Sequence, residues 1–134
     1  MRRPLGQPVP MAPRPAYIPT EYLVDPAAWV TQEPVWRVPA SLEERRLAAA
    51  VQLHHRLSRR VVRRIRSRGE RIGDLAARLG QGEDQLWRKL GGRAPALLGD
   101  LTLWALITED EPTLAAIGVA PATPAELAEV WPAQ

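Results

Sequence analysis

Proline and glycine are distributed unevenly along this chain, and that distribution limits what it can fold into. Nine of the 14 prolines fall in residues 1–40, whereas residues 41–68 contain neither proline nor glycine. Proline removes a backbone donor and disfavours helix in the residue before it, so residues 1–40 are expected to form an extended, largely irregular arm. Within it, Asp25-Pro26-Ala27-Ala28-Trp29-Val30 reads as a single helical turn, with an acidic N-cap and proline at the first position. Trp29, Val30, Val35 and Trp36 are too apolar for a purely solvated linker. Two readings follow: the arm folds back over the rest of the chain, or it docks another protein through Trp29 and Trp36. Pro10-Met11-Ala12-Pro13 has the form of a polyproline ligand, a pattern that is frequent by chance.

The stretch free of proline and glycine opens with Ser41-Leu42-Glu43-Glu44, a capping box. Leu47, Val51, His54, Leu57, Val61 and Ile65 then recur at three- or four-residue spacing, the stripe of an amphipathic helix. This predicts one helix of about 27 residues, or two joined near Ser58. Shorter helices are expected at 71–79, ending at Gly80; at 83–90, ending at Gly91-Gly92; at 95–107; and at 112–117, ending at Gly118. A second capping box, Thr123-Pro124-Ala125-Glu126, opens a last helix reaching about Val130. No run of alternating β-branched residues competes. The expectation is an all-α fold, a bundle of about five helices over residues 41–134, behind a Pro-rich arm over residues 1–40.

Charge is segregated more sharply than the overall +3 suggests. Residues 41–93 net +8, while residues 94–134 hold six acids and no lysine or arginine. A basic middle followed by an acidic tail points to a polyanionic partner for the middle. The 134 residues suit one domain, and a hydrophobic fraction of 46% is enough for a modest core. No stretch reaches the roughly 18 apolar residues of a membrane span, and no apolar run follows Arg2-Arg3 as a signal peptide requires, so a cytoplasmic protein is expected.

Catalytic chemistry finds little support in the sequence. Absence of cysteine excludes disulfides and thiolate ligands. His54 and His55 point about 100° apart on a helix, so they do not chelate one metal and read as surface or core residues. Glu43-Glu44 and Glu109-Asp110-Glu111 lack a nucleophile or glycine loop and read as helix-end and solvated charge. No P-loop or dinucleotide fingerprint is present. No enzyme, cofactor or metal site is expected. Trp87 and Trp104, spaced among leucines, read as packing residues.

One segment carries more specific information. From Gly69 to Gly92, two short helical patterns are joined by a three-residue turn containing glycine. Ala76 is small where a second helix must approach closely, Gly80 sits where the chain needs a left-handed conformation, and Leu75, Leu79 and Leu86 would face one another. With Gly69 before the first helix, Leu75-Ala76 within it, Leu79-Gly80 at the turn, Leu86 in the second helix, Gly92 after it and a leucine-rich helix from Pro95, residues 61–107 resemble the helix-turn-helix domain of Cro/C1-type (XRE-like) regulators.

The resemblance implies a helix-turn-helix at about 71–90 whose second helix enters the major groove of double-stranded DNA. Gln85, Arg88, Glu83 and Asp84 would then face the bases, the two acids by accepting from cytosine amino groups. Arg63, Arg64, Arg66, Arg71, Lys89 and Arg93 would hold the backbone. Such domains usually bind as homodimers, here through the long helix or the acidic C-terminal helices. The competing expectation is a protein-interaction adaptor with a degenerate helix-turn-helix, docked to a larger partner by the Trp/Pro-rich arm.

Overall fold

The computed structural model of the chain describes residues 17–31 and 33–134. Six α-helices follow one another: α1 (Leu42–Ser67), α2 (Ile72–Leu79), α3 (Glu83–Leu90), α4 (Leu98–Ile107), α5 (Glu111–Ile117) and α6 (Pro124–Val130). Among the described residues there is no strand, only one antiparallel bridge between Leu23 and Trp36. The fold of the described residues is all-α, a small bundle of six helices behind the N-terminal segment, as expected.

The long apolar stripe forms one uninterrupted helix, α1, of 26 residues, roughly 39 Å from end to end. Its start is capped by Ser41, with the Glu44 carboxylate reaching back one residue beyond the N-cap. Ser41 Oγ accepts from the Glu44 amide at 3.1 Å, and the Glu44 carboxylate accepts from the Ala40 amide at 2.7 Å. It stops at Gly69, whose φ of +67° turns the chain so that the Glu70 amide reaches the Ile65 carbonyl at 3.1 Å. Along its length Val51, His54, Leu57, Ser58, Val61 and Ile65 are buried.

Around that stripe the shorter helices close a core of Leu57, Val61, Ile65, Leu75, Leu86, Leu90, Trp104, Ile107, Leu114 and Trp131, among others. Trp104 lies at its centre, fully enclosed. The Trp131 indole, just past α6, donates to the Ile107 carbonyl at 2.8 Å and so fastens the chain end to α4. Helix α4 begins at Leu98, not at Pro95. The Asp100 carboxylate accepts from the Leu97 amide at 2.8 Å and also from the Lys89 ammonium at 2.9 Å, so the helix starts where one carboxylate can cap it and hold α3 together.

The arm departs from the extended expectation over its described part. Two single-turn 3₁₀ helices, Pro19–Tyr22 and Pro26–Val30, are joined in a loop that doubles back on itself, with Val24 N–H donating to Val35 O and Arg37 N–H to Tyr22 O, both at 2.9 Å. Leu23, Trp29 and Val51 form a second buried cluster between this loop and α1. Asp25 caps the second turn through the Ala27 amide, as its sequence signature predicts. The Pro10–Pro13 motif lies outside the described residues.

Candidate nucleic-acid interface

Helices α2 and α3 are joined by Gly80, Gln81 and Gly82. Gly80 adopts a φ of +66°, and the Gln81 amide returns to the Ala76 carbonyl at 2.9 Å, which reverses the chain within one residue of the helix end. Leu75 and Ala76 of α2 and Leu86 and Leu90 of α3 are buried, so the pair is locked by its inner faces. What α3 leaves outside is Glu83, Asp84, Gln85, Trp87 and Arg88.

These exposed residues are not equivalent. A Cβ placed on Gly73, in the first turn of α2, would lie 3.0 Å from the Glu83 carboxyl group. Glu83 therefore lays its carboxylate back against α2, where helix-dipole charge is positive, rather than forward from α3. Asp84, Gln85 and Arg88 remain at the exposed face. Trp87 departs from the packing expectation: unlike the enclosed Trp104, it is 46% exposed, and the Arg93 guanidinium lies 4.6 Å from its ring centroid.

The trailing end of α3 is held from outside. Carbonyls of a last helical turn have no partner within the helix. Here the His54 imidazole Nε2 donates to Lys89 O at 2.6 Å, and the Trp29 indole donates to Leu90 O at 2.9 Å. The Thr20 amide reaches Gly92 O at 3.0 Å. Because a carbonyl only accepts, His54 carries a proton on Nε2. Burial pulls its pKa down to about 4, against the opposing pull of the Lys89 hydrogen bond. His55 donates from Nε2 to Trp29 O at 2.8 Å, and burial lowers its pKa as well. Both histidines are thus core residues, His54 bonded to the end of α3 and His55 to the arm residue that caps it.

Trp29 is only 3% exposed, wedged edge-on against the rings of His54 and His55. Of the two readings of the arm, this side chain follows the first: it covers the helices, and docking another protein through it would require tearing the cluster open. Trp36 is half-buried at the rim of the same cluster.

The cations divide into two groups. Arg56 and Arg60 engage the buried Asp110 at 2.7 and 3.5 Å, and Arg68 and Arg78 both pair with Glu70. Lys89 is 14% exposed and spent on Asp100, so its ammonium is unsuited to the phosphate contact expected of it. Arg64 lies over the Trp131 ring at 5.8 Å. By contrast, the side chains of Arg63, Arg66, Arg71 and Arg88 form no ion pair and no hydrogen bond among the described residues.

Arg59, absent from the set expected to touch DNA, also has no ion pair among the described residues, but it does make a hydrogen bond. Its guanidinium donates to the Thr31 carbonyl of the arm, and with Arg63 and Arg66 it borders an open groove of about 310 Å³ floored by Trp29, Val62 and Leu90. The only signal of Arg59 in the sequence is its four- and seven-residue spacing from Arg63 and Arg66, which puts the three on one side of α1. Among the described residues no His, Asp and Glu cluster is arranged to hold a metal ion, and no helix is long and apolar enough to cross a membrane. No family model matches this chain, and comparisons with curated proteins and with solved structures find no match.

Proposed function

We propose that this chain binds double-stranded DNA as a small transcriptional regulator of the Cro/C1 helix-turn-helix type, with the exposed face of α3 in the major groove. The observation that carries this reading is the charge left over beside α2 and α3. Three nearby acids are internally engaged: Glu70 by two arginines, Asp74 on the Arg71 amide at 2.9 Å, Asp100 on Lys89 and the Leu97 amide, which leaves Glu83 and Asp84 as the exposed acids of α3. Arg63, Arg66, Arg71 and Arg88 keep free guanidinium groups on the surface. Such an uncompensated cationic field suits a polyanion. In this reading Arg88 and Gln85 contact base edges, Asp84 accepts from a cytosine amino group, and Arg63, Arg64, Arg66, Arg71 and Arg93 hold phosphates. A homodimer would cover two half-sites about 34 Å apart. Titration of labelled duplex at two salt concentrations tests the function: affinity should fall steeply with salt, and salt-independent or absent binding sinks it.

A protein-interaction adaptor remains as a second reading, supported by Trp87, Leu97 and Leu98, which are exposed on α3 and at the start of α4. With Trp29 enclosed, Trp36 is the one of the two expected docking tryptophans that this reading keeps. Capture of a partner that is lost in Trp36→Ala, in a protein that ignores duplex DNA, would favour it.

A further inference from the structure

The groove between the arm and α1 has features that the α3 face lacks. Three arginines line it within two turns of one helix, and no carboxylate pairs with any of them among the described residues. The arm fixes one of the three, because the Thr31 carbonyl accepts from Arg59, whose other guanidinium donors have no partner among the described residues. Crowding of like charge is felt there: burial, then the neighbouring Arg63 and Arg66, lower the pKa of Arg59. Unscreened cations held together in a concave site are matched by an anion with several acceptor oxygens, and guanidinium geometry suits phosphate.

Position narrows the source of that phosphate. The groove abuts Leu90, the last residue of α3. Helix α3 has eight residues, about 12 Å of length, comparable with the ~12 Å width of the major groove. A helix of this length seated by its leading end leaves its trailing end level with the strand that borders the groove.

We propose that the arm and α1 form a phosphate clamp, in which Arg59, Arg63 and Arg66 grip a backbone phosphodiester of the strand flanking the site read by α3. The clamp rests on the DNA-binding reading and gives the arm a part in the interface: it builds one wall of the groove and orients one of its three cations. Phosphodiester contact here is independent of sequence, so the clamp sets register and affinity while α3 discriminates.

The experiment is a duplex titration by fluorescence anisotropy over a series of salt concentrations, with wild type, Arg63→Gln, Arg66→Gln, Arg59→Gln and Arg45→Gln. Arg45 is exposed in the first turn of α1, about 30 Å from Arg66 along the helix, and controls for net charge. Arg63→Gln and Arg66→Gln should each weaken binding several-fold on every duplex tried and flatten the log–log salt slope by about 0.9. Arg59→Gln should do the same with an unchanged circular-dichroism spectrum. Arg45→Gln should leave the slope alone. Wild-type binding that persists with full slope in the Arg63 and Arg66 variants overturns the clamp but spares the DNA reading, as does an equal effect from Arg45→Gln. Failure of the wild type to bind any duplex overturns both.

Discussion

The Trp29 indole donates to the Leu90 carbonyl at 2.9 Å, a hydrogen bond spanning 61 residues of sequence. It links the Pro-rich segment to the end of the helix proposed to read DNA, and it explains the glycine beside it. Gly92 has a φ of +71°, and a Cβ there would fall 2.5 Å from the Trp29 ring. The indole lies flush on the α3 C-terminus because that position has no side chain.

Gly92→Ala should therefore be costly twice over, through left-handed strain of about 1 kcal/mol and overpacking of about 1–3 kcal/mol. Urea unfolding should show a loss of about 2–4 kcal/mol. Gly69→Ala, where the same φ sign meets open space, should cost only the strain. Equal losses at the two sites would mean that Trp29 does not press on Gly92.

Trp29→Phe keeps a ring in the cluster but removes the donor to Leu90. The stranded carbonyl should cost about 1–3 kcal/mol in stability, and the amides of the last turn of α3 should exchange faster in hydrogen-exchange measurements. Unchanged exchange at residues 88–93 would show that the indole does not secure this helix end.

Acidification should loosen the same place. The pKa of His54 is lowered to about 4 in the folded chain, against an ordinary 6.5, so the unfolded chain binds more protons between those values. Stability is then complete above about pH 6.5 and falls as pH drops toward 4, by the free-energy equivalent of that displacement, about 3 kcal/mol. His55, also lowered by burial, acts in the same direction. A urea midpoint series from pH 7.5 to 4.5 measures this, and His54→Gln, which retains a donor, should flatten it. A midpoint insensitive to pH across this window would contradict a neutral, buried His54.

Asp110, 1% exposed, receives Arg56 at 2.7 Å, Thr113 and, at 3.5 Å, Arg60. Burial alone would raise its pKa; the hydrogen bonds from Thr113 and Arg56 and the charges of both arginines outweigh that and lower it. Asp110→Ala should destabilise by about 1–3 kcal/mol, moderated because both arginines reach water. Arg56 and Arg60 would then both lose their ionic partner, Arg60 keeping its hydrogen bonds to Thr108, so the variant's salt-dependent DNA binding should steepen at temperatures where it stays folded. A flatter slope would argue against a shared cationic field.

At the reading face, Arg88→Ala should narrow the gap between preferred and random duplex by about 1–3 kcal/mol, the worth of one bidentate base contact. Arg71→Ala should weaken both alike and flatten the salt slope by about 0.9. Selected target sites compared with scrambled ones supply the measurement. If Arg88→Ala lowers both affinities equally, that guanidinium holds backbone and not base.

Much of the architecture was legible in residues 41–130 because its causes are local. Capping boxes at Ser41 and Thr123, left-handed glycines at 69, 80 and 118, and the stripe from Val51 to Ile65 act over a few residues, and each helix they predict is present. The exception, the start of α4, turned on Asp100 serving Lys89 and the Leu97 amide together, a double duty invisible in helix periodicity.

Sequence alone determined the helical order, the segregation of charge and the set of arginines from which any polyanion site must be drawn. Tertiary structure decided which of those charges are free. Lys89 is consumed by Asp100, Glu83 folds onto Gly73, Arg59 is turned by Thr31, and Trp29 is enclosed under His54 and His55 instead of exposed on an arm. The reason is physical: helix propensity and capping are settled within one or two turns, whereas the pairing of a charge or the burial of an indole depends on which distant residues the closed core brings within a few ångströms.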